Sequence, residues 1–148
     1  MHDIRHRVGI NAPHGDVFDA IATREGLARW WTSAVDGESR VGEDLTFHFG
    51  NPDPAAVMKV TDLVPGTRVA WECTAGPDEW LGTTFTYDFK REGDTTVVLF
   101  TNAGWREPVE FMHHCSTKWA YFLLGMKDGL EGGKATPWPD DKPIDNWG

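Results

Sequence analysis

Apolar and polar residues alternate along much of the chain, which is the pattern of β-strands that have one face in water. In HDIRHRVGI, Ile4 and Ile10 fall on one face and charged residues on the other. The same period returns in LTFHF, in AAVMKV and RVAWEC, and in TFTYDF and TVVLF. Turn residues at 65–66 and 92–94 predict two hairpins, and GNPDP at 50–54 closes an earlier strand.

Two segments change to the three- and four-residue spacing of helices. The first, NAPHGDVFDAIATREGLARWW, predicts two short helices after the first strand, with Pro13 at the first helical position of one and Thr23 capping the other. The second predicts one long helix from about Pro108 to Gly132, ended by Gly132-Gly133. Because an antiparallel sheet with one apolar face needs a cover, we expect an α+β fold in which a curved antiparallel sheet of about six or seven strands surrounds the long C-terminal helix.

The sequence predicts one domain over residues 1–133 and an irregular C-terminal tail over residues 134–148. The tail, KATPWPDDKPIDNWG, is rich in proline and aspartate, which disfavour helices and strands. Trp138 and Trp147 are nevertheless unusual in a segment that is free in solvent. We therefore expect the tail to fold back over the domain, or against a neighbour across a dimer.

Composition narrows the function classes. The net charge of −9, with no cluster of lysine and arginine, argues against nucleic acid and anionic membranes as partners. No apolar run reaches the length of a membrane span, and MHDIRHRVGI lacks the apolar core of a signal peptide. With Cys73 and Cys115 far apart, the sequence predicts a cytoplasmic protein with reduced thiols. Eight tryptophans predict either a strongly aromatic core or a cavity with aromatic walls.

The order of the elements, together with three motifs, carries a family resemblance. The motifs are APHGDVFDAIATREGLARWWTS, TTFTYDFKREGDTTVVLFTNAGW and WAYFLLGMKDGLEGG. Over residues 3–133 the chain resembles the START-like (SRPBCC) superfamily, and within it the bacterial branch homologous to the activator of heat-shock-protein ATPase. The resemblance implies a helix-grip fold with an elongated cavity between the sheet and the long helix. It also implies binding of a hydrophobic or amphipathic small molecule, although one fold serves many activities.

Strand parity and the helical stripe select the positions that are expected to line this cavity. They are Phe47, Phe49, Met58, Trp71, Phe85, Tyr87, Phe100, Trp105, Trp119, Leu123 and Met126. The adjacent Trp30 and Trp31 close the second short helix, and we expect them at the cavity rim. The alternative is a filled core with no space for a ligand, in which the two tryptophans plug the gap between the short helices and the sheet.

Polar residues on the same faces are candidates for orienting a ligand. Asn102 lies on the apolar side of its strand, where an unpaired amide would be unfavourable, and Tyr87 contributes a phenol. The alternative is that both are satisfied polar groups that hold the sheet to the helix.

Candidate chemistry is sparse. VEFMHHCS has the spacing of a metal-binding helix, but a single long helix lacks the matching ligands, so we expect no metal and no cofactor, and expect His113 and His114 as an exposed pair. No nucleophile or phosphate-binding motif stands out, and no catalytic residue is assigned.

Three functions remain open: a carrier, sensor or sequestering protein for a hydrophobic or amphipathic molecule, a cyclase- or hydrolase-type enzyme acting on such a molecule, and a co-regulator of a chaperone ATPase.

Overall fold

A computed structural model describes residues 1–50 and 55–148 of the chain, so the predicted strand-closing segment at 50–54 lies, except for its first residue, outside the described residues. Within the described ranges the chain forms seven strands and three helices. In chain order they are β1 (His2–Ile10), α1 (His14–Ala22), α2 (Arg24–Leu27), β2 (Val35–Gly37), β3 (Asp44–His48), β4 (Ala55–Val64), β5 (Arg68–Ala75), β6 (Thr84–Glu92), β7 (Thr95–Trp105) and α3 (Glu110–Leu130).

The strands form a single curved antiparallel sheet in the order β1-β7-β6-β5-β4-β3-β2. The two expected hairpins are β4–β5 and β6–β7, and β1 returns to pair with β7, with His6 opposite Phe100. α3 lies against β1 and against the apolar face of the sheet, where Trp119 contacts Phe85 and Phe100. The predicted α+β architecture, a sheet curved around the C-terminal helix, is confirmed.

Alternation along each strand decides which side chains meet α3. On β6, Phe85, Tyr87 and Phe89 are buried, while the residues between them face outward. α3 turns one stripe toward them, formed by Cys115, Trp119, Phe122, Leu123 and Met126. Because a helix is held mainly by packing of its apolar face, this stripe fixes α3 on the sheet. No helix in the described part of the chain is both long and apolar enough to cross a lipid bilayer.

The ends of α1 and α3 lie within two residues of their predicted positions, but α2 is shorter than expected: it ends at Leu27, and Trp30 and Trp31 lie in the turn that follows it. Pro13 is the cap residue of α1 instead of its first residue, and α3 spans 110–130. Thr23 caps α2 as expected, because its Oγ1 accepts from the backbone N–H of Gly26 at 2.9 Å. The same hydroxyl donates to the carbonyl oxygen of Asp19 at 2.7 Å, which joins α2 to the end of α1.

Gly26 lies where α2 packs on the end of α1, and the site has no room for a side chain. A methyl group there would lie 2.7 Å from Cα of Ala20, and closer still to the carbonyl oxygen of Asp19. Because these are backbone atoms that cannot rotate away, we expect Gly26→Ala to lower the free energy of unfolding by about 2–3 kcal/mol, measured by urea denaturation. Gly15→Ala on α1 is the matched control, since nothing lies within 4 Å of its added carbon. Equal effects of the two substitutions would contradict this account.

Candidate functional site

The adjacent tryptophans are both buried, but they make different contacts. The indole N–H of Trp30 donates to the carbonyl oxygen of Ala20 at 2.8 Å and so ties the segment after α2 to α1. The ring of Trp31 lies between α3 and the sheet, with its centre 4.7 Å from that of Trp119 and 4.3 Å from that of Phe47. One ring therefore holds the short helices in place, while the other shapes the space beside α3.

Most of the residues predicted to line a cavity meet one another in the interior. Ring centres lie 4.6 Å apart for Phe100 and Trp119, and 5.2 Å apart both for Tyr87 and Phe100 and for Trp71 and Tyr87. These are the distances of aromatic rings in contact. The other residues of the predicted lining set in this buried cluster are Phe47, Met58, Phe85, Trp105, Leu123 and Met126. Contact between these residues and a ligand stays a prediction.

Asn102 is fully buried, and both ends of its amide are paired. Its Nδ2 donates to Oγ1 of Thr83 and to the carbonyl oxygen of Thr84, each at 3.1 Å. Its Oδ1 accepts from the indole N–H of Trp105 at 2.7 Å. These contacts correspond to the alternative in which Asn102 is a satisfied structural group, joining β6, β7 and the segment before β6.

Tyr87 is also fully buried, but its hydroxyl has no hydrogen-bond partner among the described residues. Burial raises the pKa of its phenol well above the ordinary range, so the group is neutral and keeps its O–H. The indole N–H of Trp71, whose ring contacts that of Tyr87, lacks a partner in the same described set. Of the two polar candidates, Asn102 and Tyr87, only Tyr87 therefore has a polar side-chain atom, its hydroxyl, that is not already hydrogen-bonded within the described residues.

A pocket of about 320 Å³ opens at one end of the interior, between the N-terminal half of α3, the start of β4, the loop before β6 and the C-terminal tail. Three of the predicted residues line it, namely Trp31, Phe49 and Trp119. The other aromatic walls are Trp80, Phe111, Phe122, Trp138 and Trp147. Its volume is at the lower end of the range for small-molecule sites, and its lining is mainly aromatic, as such sites commonly are.

One edge of the pocket is polar, and it joins α3 to the tail. Nζ of Lys118 lies 2.6 Å from Oδ2 of Asp141, and these side chains are only 15% and 11% exposed. One helical turn earlier, Nδ1 of His114 lies 2.7 Å from Oδ2 of Asp145. This hydrogen bond is the main reason that the pKa of the Asp145 carboxyl lies below its usual range, so the carboxylate accepts and the imidazole donates.

The tail folds back over the domain, as one of the two sequence alternatives has it. The backbone N–H of Trp138 donates to the carbonyl oxygen of Trp31 at 2.9 Å, and that of Ser33 donates to the carbonyl oxygen of Trp138 at 3.0 Å. The hydroxyl of Tyr121 lies 2.7 Å from that of Thr136. Trp138 and Trp147 thus serve as walls of the pocket, which explains two large apolar rings in a polar segment.

The expectation of an exposed histidine pair is wrong for one member. His113 is exposed, but the side chain of His114 is only 13% exposed, because the tail covers it. Sequence reasoning also missed Lys118 and the tail acids as parts of a site. The signal was present in retrospect: His114 and Lys118 are four residues apart, and so are Asp141 and Asp145. Among residues 1–50 and 55–148, no three His, Cys, Asp or Glu side chains are grouped to hold a metal ion.

Both cysteines carry free thiols in the described structure, and burial is the main cause that raises their pKa, to about 11 for Cys73 and about 12 for Cys115. Since the thiolate is the reactive form, we expect Ellman's reagent at pH 8 to modify both at least about a hundredfold more slowly in the native protein than in urea. A raised thiol pKa stabilises the fold only while the thiol is neutral. This contribution is therefore present below about pH 9 and is lost as the pH rises toward 11. Rapid modification of the native protein would show that one of the two sites opens readily.

The chain has the architecture of the START-like class of helix-grip domains. In this class a curved antiparallel sheet surrounds a C-terminal helix, and here a pocket lies at one end of the space between them. Within that class, the chain belongs to the family described as Activator of Hsp90 ATPase homolog 1-like protein, whose model matches residues 11–131. No protein in the curated comparison matches the chain.

Several solved structures share the architecture. The Aha1 dimer from Colwellia psychrerythraea, solved in solution, is 40% identical, with a TM-score of 0.82 over 91% of this chain and 100% of that one. Protein SSP2350 from Staphylococcus saprophyticus is 20% identical, with a TM-score of 0.75 over 91% of this chain and 96% of that one. CalU16 from Micromonospora echinospora is 18% identical, with a TM-score of 0.74 over 95% of this chain and 77% of that one. The last two show the fold alone.

Proposed function

We propose that the protein binds a hydrophobic or amphipathic small molecule in the pocket between α3, the sheet and the tail, as a cytoplasmic carrier, sensor or sequestering protein. The observation that carries the proposal is the pocket of about 320 Å³ with mainly aromatic walls and one polar edge. A site of this kind gains affinity from burial of apolar ligand surface and orientation from a few polar groups.

The residues predicted from the sequence take two places in this proposal. Trp31, Phe49 and Trp119 contact the ligand directly from the pocket walls. The buried cluster behind them supports Trp31 and Trp119 through ring contacts such as that between Trp31 and Trp71, which are stacked with centres 5.9 Å apart. Because rotation of one ring requires its neighbours to move, the cluster holds the walls in a fixed shape.

The experiment is a titration of the full chain with N-phenyl-1-naphthylamine, a neutral aromatic probe whose emission rises in apolar surroundings. We expect binding, and we expect Phe49→Ala to weaken it about tenfold because that ring forms part of the pocket wall. Phe18→Ala is the matched control: Phe18 is likewise half-buried, but it lies outside the pocket and packs on Phe89 toward the other end of β6, with ring centres 5.3 Å apart. Absence of probe binding, or equal weakening by both variants, would refute the proposal.

A second candidate function is co-regulation of a chaperone ATPase. The observation that favours it is family membership together with 40% identity to a protein named as an Aha1 dimer. Its test is the rate of ATP hydrolysis by a purified Hsp90-type chaperone with and without this protein. Stimulation that saturates with concentration would support this role, and an unchanged rate would remove it.

The same relative motivates a proposal about assembly. Because that structure is a dimer, we propose that this chain also forms a homodimer. Light scattering coupled to size-exclusion chromatography gives the particle mass directly. A mass equal to that of one chain, at every concentration examined, would rule the homodimer out.

A further inference from the structure

The polar edge of the pocket indicates which class of small molecule the site selects. Lys118 points its ammonium group into the space between α3 and the tail, above the rings of Tyr121 and Phe122, with Nζ 5.2 and 5.4 Å from the ring centres. Its hydrogen-bond acceptors all belong to the tail: the carboxylate of Asp141 and the carbonyl oxygens of Lys142, at 2.9 Å, and Gly148, at 2.8 Å. A cation with so little exposure depends on these acceptors.

The tail meets α3 through two matched pairs. His114 and Lys118 lie one turn apart on α3, and each contacts an aspartate of the tail, Asp145 and Asp141 respectively. The acids are flanked by Trp138 and Trp147, which line the pocket. The tail therefore presents to the site a combination of carboxylate and aromatic ring, and it presents them where a bound molecule would lie.

We infer that the ligand is an anionic amphipath, namely an aromatic or alkyl carboxylic acid; this inference rests on the proposed function. The carboxylate of the ligand replaces that of Asp141 as the partner of Lys118, and its apolar part enters the aromatic pocket. The tail then acts as an internal stand-in for the ligand and is displaced, at least around Asp141, on binding.

Energetics favour an acid over a neutral molecule of the same shape. A neutral ligand that displaced Asp141 would leave the ammonium of Lys118 without the carboxylate that it contacts, beside aromatic rings, and loss of the partner of a buried charge is strongly unfavourable. A ligand carboxylate restores the ion pair with Lys118, because it replaces one carboxylate by another. A neutral ligand cannot do so, and the site therefore selects the acid. The net charge of −9 opposes approach of anions in general, and selection therefore rests on this local contact and not on long-range attraction.

Isothermal titration of the full chain with 1-naphthaleneacetate and with 1-naphthaleneacetamide tests the inference, because the two probes differ only in charge and hydrogen bonding at one end. We expect the carboxylate to bind at least tenfold more tightly than the amide. Lys118→Met should reduce this ratio to nearly one, whereas Lys59→Met, the same change on an exposed lysine of β4, should leave it unaltered.

Asp141→Asn keeps the test decisive even if Lys118→Met does not fold. Asparagine is a weaker acceptor for an ammonium group, so we expect this variant to bind the carboxylate several-fold more tightly than the wild-type protein does. A carboxylate affinity no greater than that of the amide, or an unchanged affinity in Asp141→Asn, overturns the inference. If N-phenyl-1-naphthylamine still binds in that case, the proposed function stands; if neither that probe nor the naphthyl pair binds, the proposed function fails as well.

Discussion

Trp71→Ala is expected to lower the free energy of unfolding by about 3–5 kcal/mol, which is a large part of the stability of a domain of this size. Trp71 is fully buried on β5, and its ring contacts four aromatic neighbours. They are Trp31, Phe47, Phe85 and Tyr87. Alanine would leave a cavity, and the surrounding rings cannot move in to fill it because each is held by its own neighbours. The loss therefore includes both the free energy of burying the indole and the cost of the cavity. Urea denaturation followed by circular dichroism measures the change.

Trp71→Phe is the informative companion. The indole N–H of Trp71 has no acceptor among the described residues, so phenylalanine removes an unpaired donor while it keeps an aromatic ring in place. We expect this variant to lose less than about 1.5 kcal/mol, because the smaller cavity is partly offset by the loss of the unpaired polar atom. A loss as large as that of Trp71→Ala would mean that the N–H bonds to an ordered water molecule or a bound ligand.

The fold followed from the sequence because local and long-range preferences agree along the chain. On β6, for example, every second residue from Phe85 to Phe89 is apolar and buried, and only one register places Phe85 opposite Trp71 and Tyr87 opposite Val69 on the same face. The stripe on α3 has the matching period, so the sheet has one partner long enough to cover it. The same reasoning located the turn at 65–66.

The sequence predicted the site less well than the fold. The alternation of residues along a strand shows which face a side chain lies on, but not how much free volume lies beside it. It placed Phe85 and Phe100 on the correct face, yet these rings contact other rings in the interior. Whether facing rings leave a gap depends on side-chain packing to within a methyl group, which no pattern of apolar positions encodes. The sequence therefore predicted an aromatic interior but could not show that the pocket lies at one end of it.

The tail is the second part that pattern reasoning could not place. Its contacts with α3 join residues far apart in the chain, as Lys118 and Asp141 do, and the shared four-residue spacing of the two pairs does not by itself show that they meet. The composition of the tail gave one further sign, the presence of Trp138 and Trp147 in a polar segment. Because the tail supplies two aromatic walls and the counterion of Lys118, the character of the pocket depends on a segment that composition alone would assign to solvent.

Asn102→Ala is expected to lower the free energy of unfolding by about 2–4 kcal/mol, although it removes far less volume than the tryptophan substitution does. Its amide accounts for three hydrogen bonds, and its loss leaves the indole N–H of Trp105 and the carbonyl oxygen of Thr84 buried with fewer partners. Trp105→Phe breaks only one of these three bonds, the one to Oδ1, and leaves a small cavity, so we expect it to cost about half as much.

The two variants also reveal whether these residues act as one unit. Because they share the bond of 2.7 Å between the indole nitrogen and Oδ1, the double variant should lose less than the sum of the single changes. Asn146→Ala, at an exposed asparagine of the tail, should change the free energy of unfolding by less than about 0.5 kcal/mol. Additive losses in the double variant would show that the two residues do not act as one unit. A loss for Asn102→Ala as small as that of Asn146→Ala would show that Asn102 does not hold the structure and would make it again a candidate for contact with the ligand.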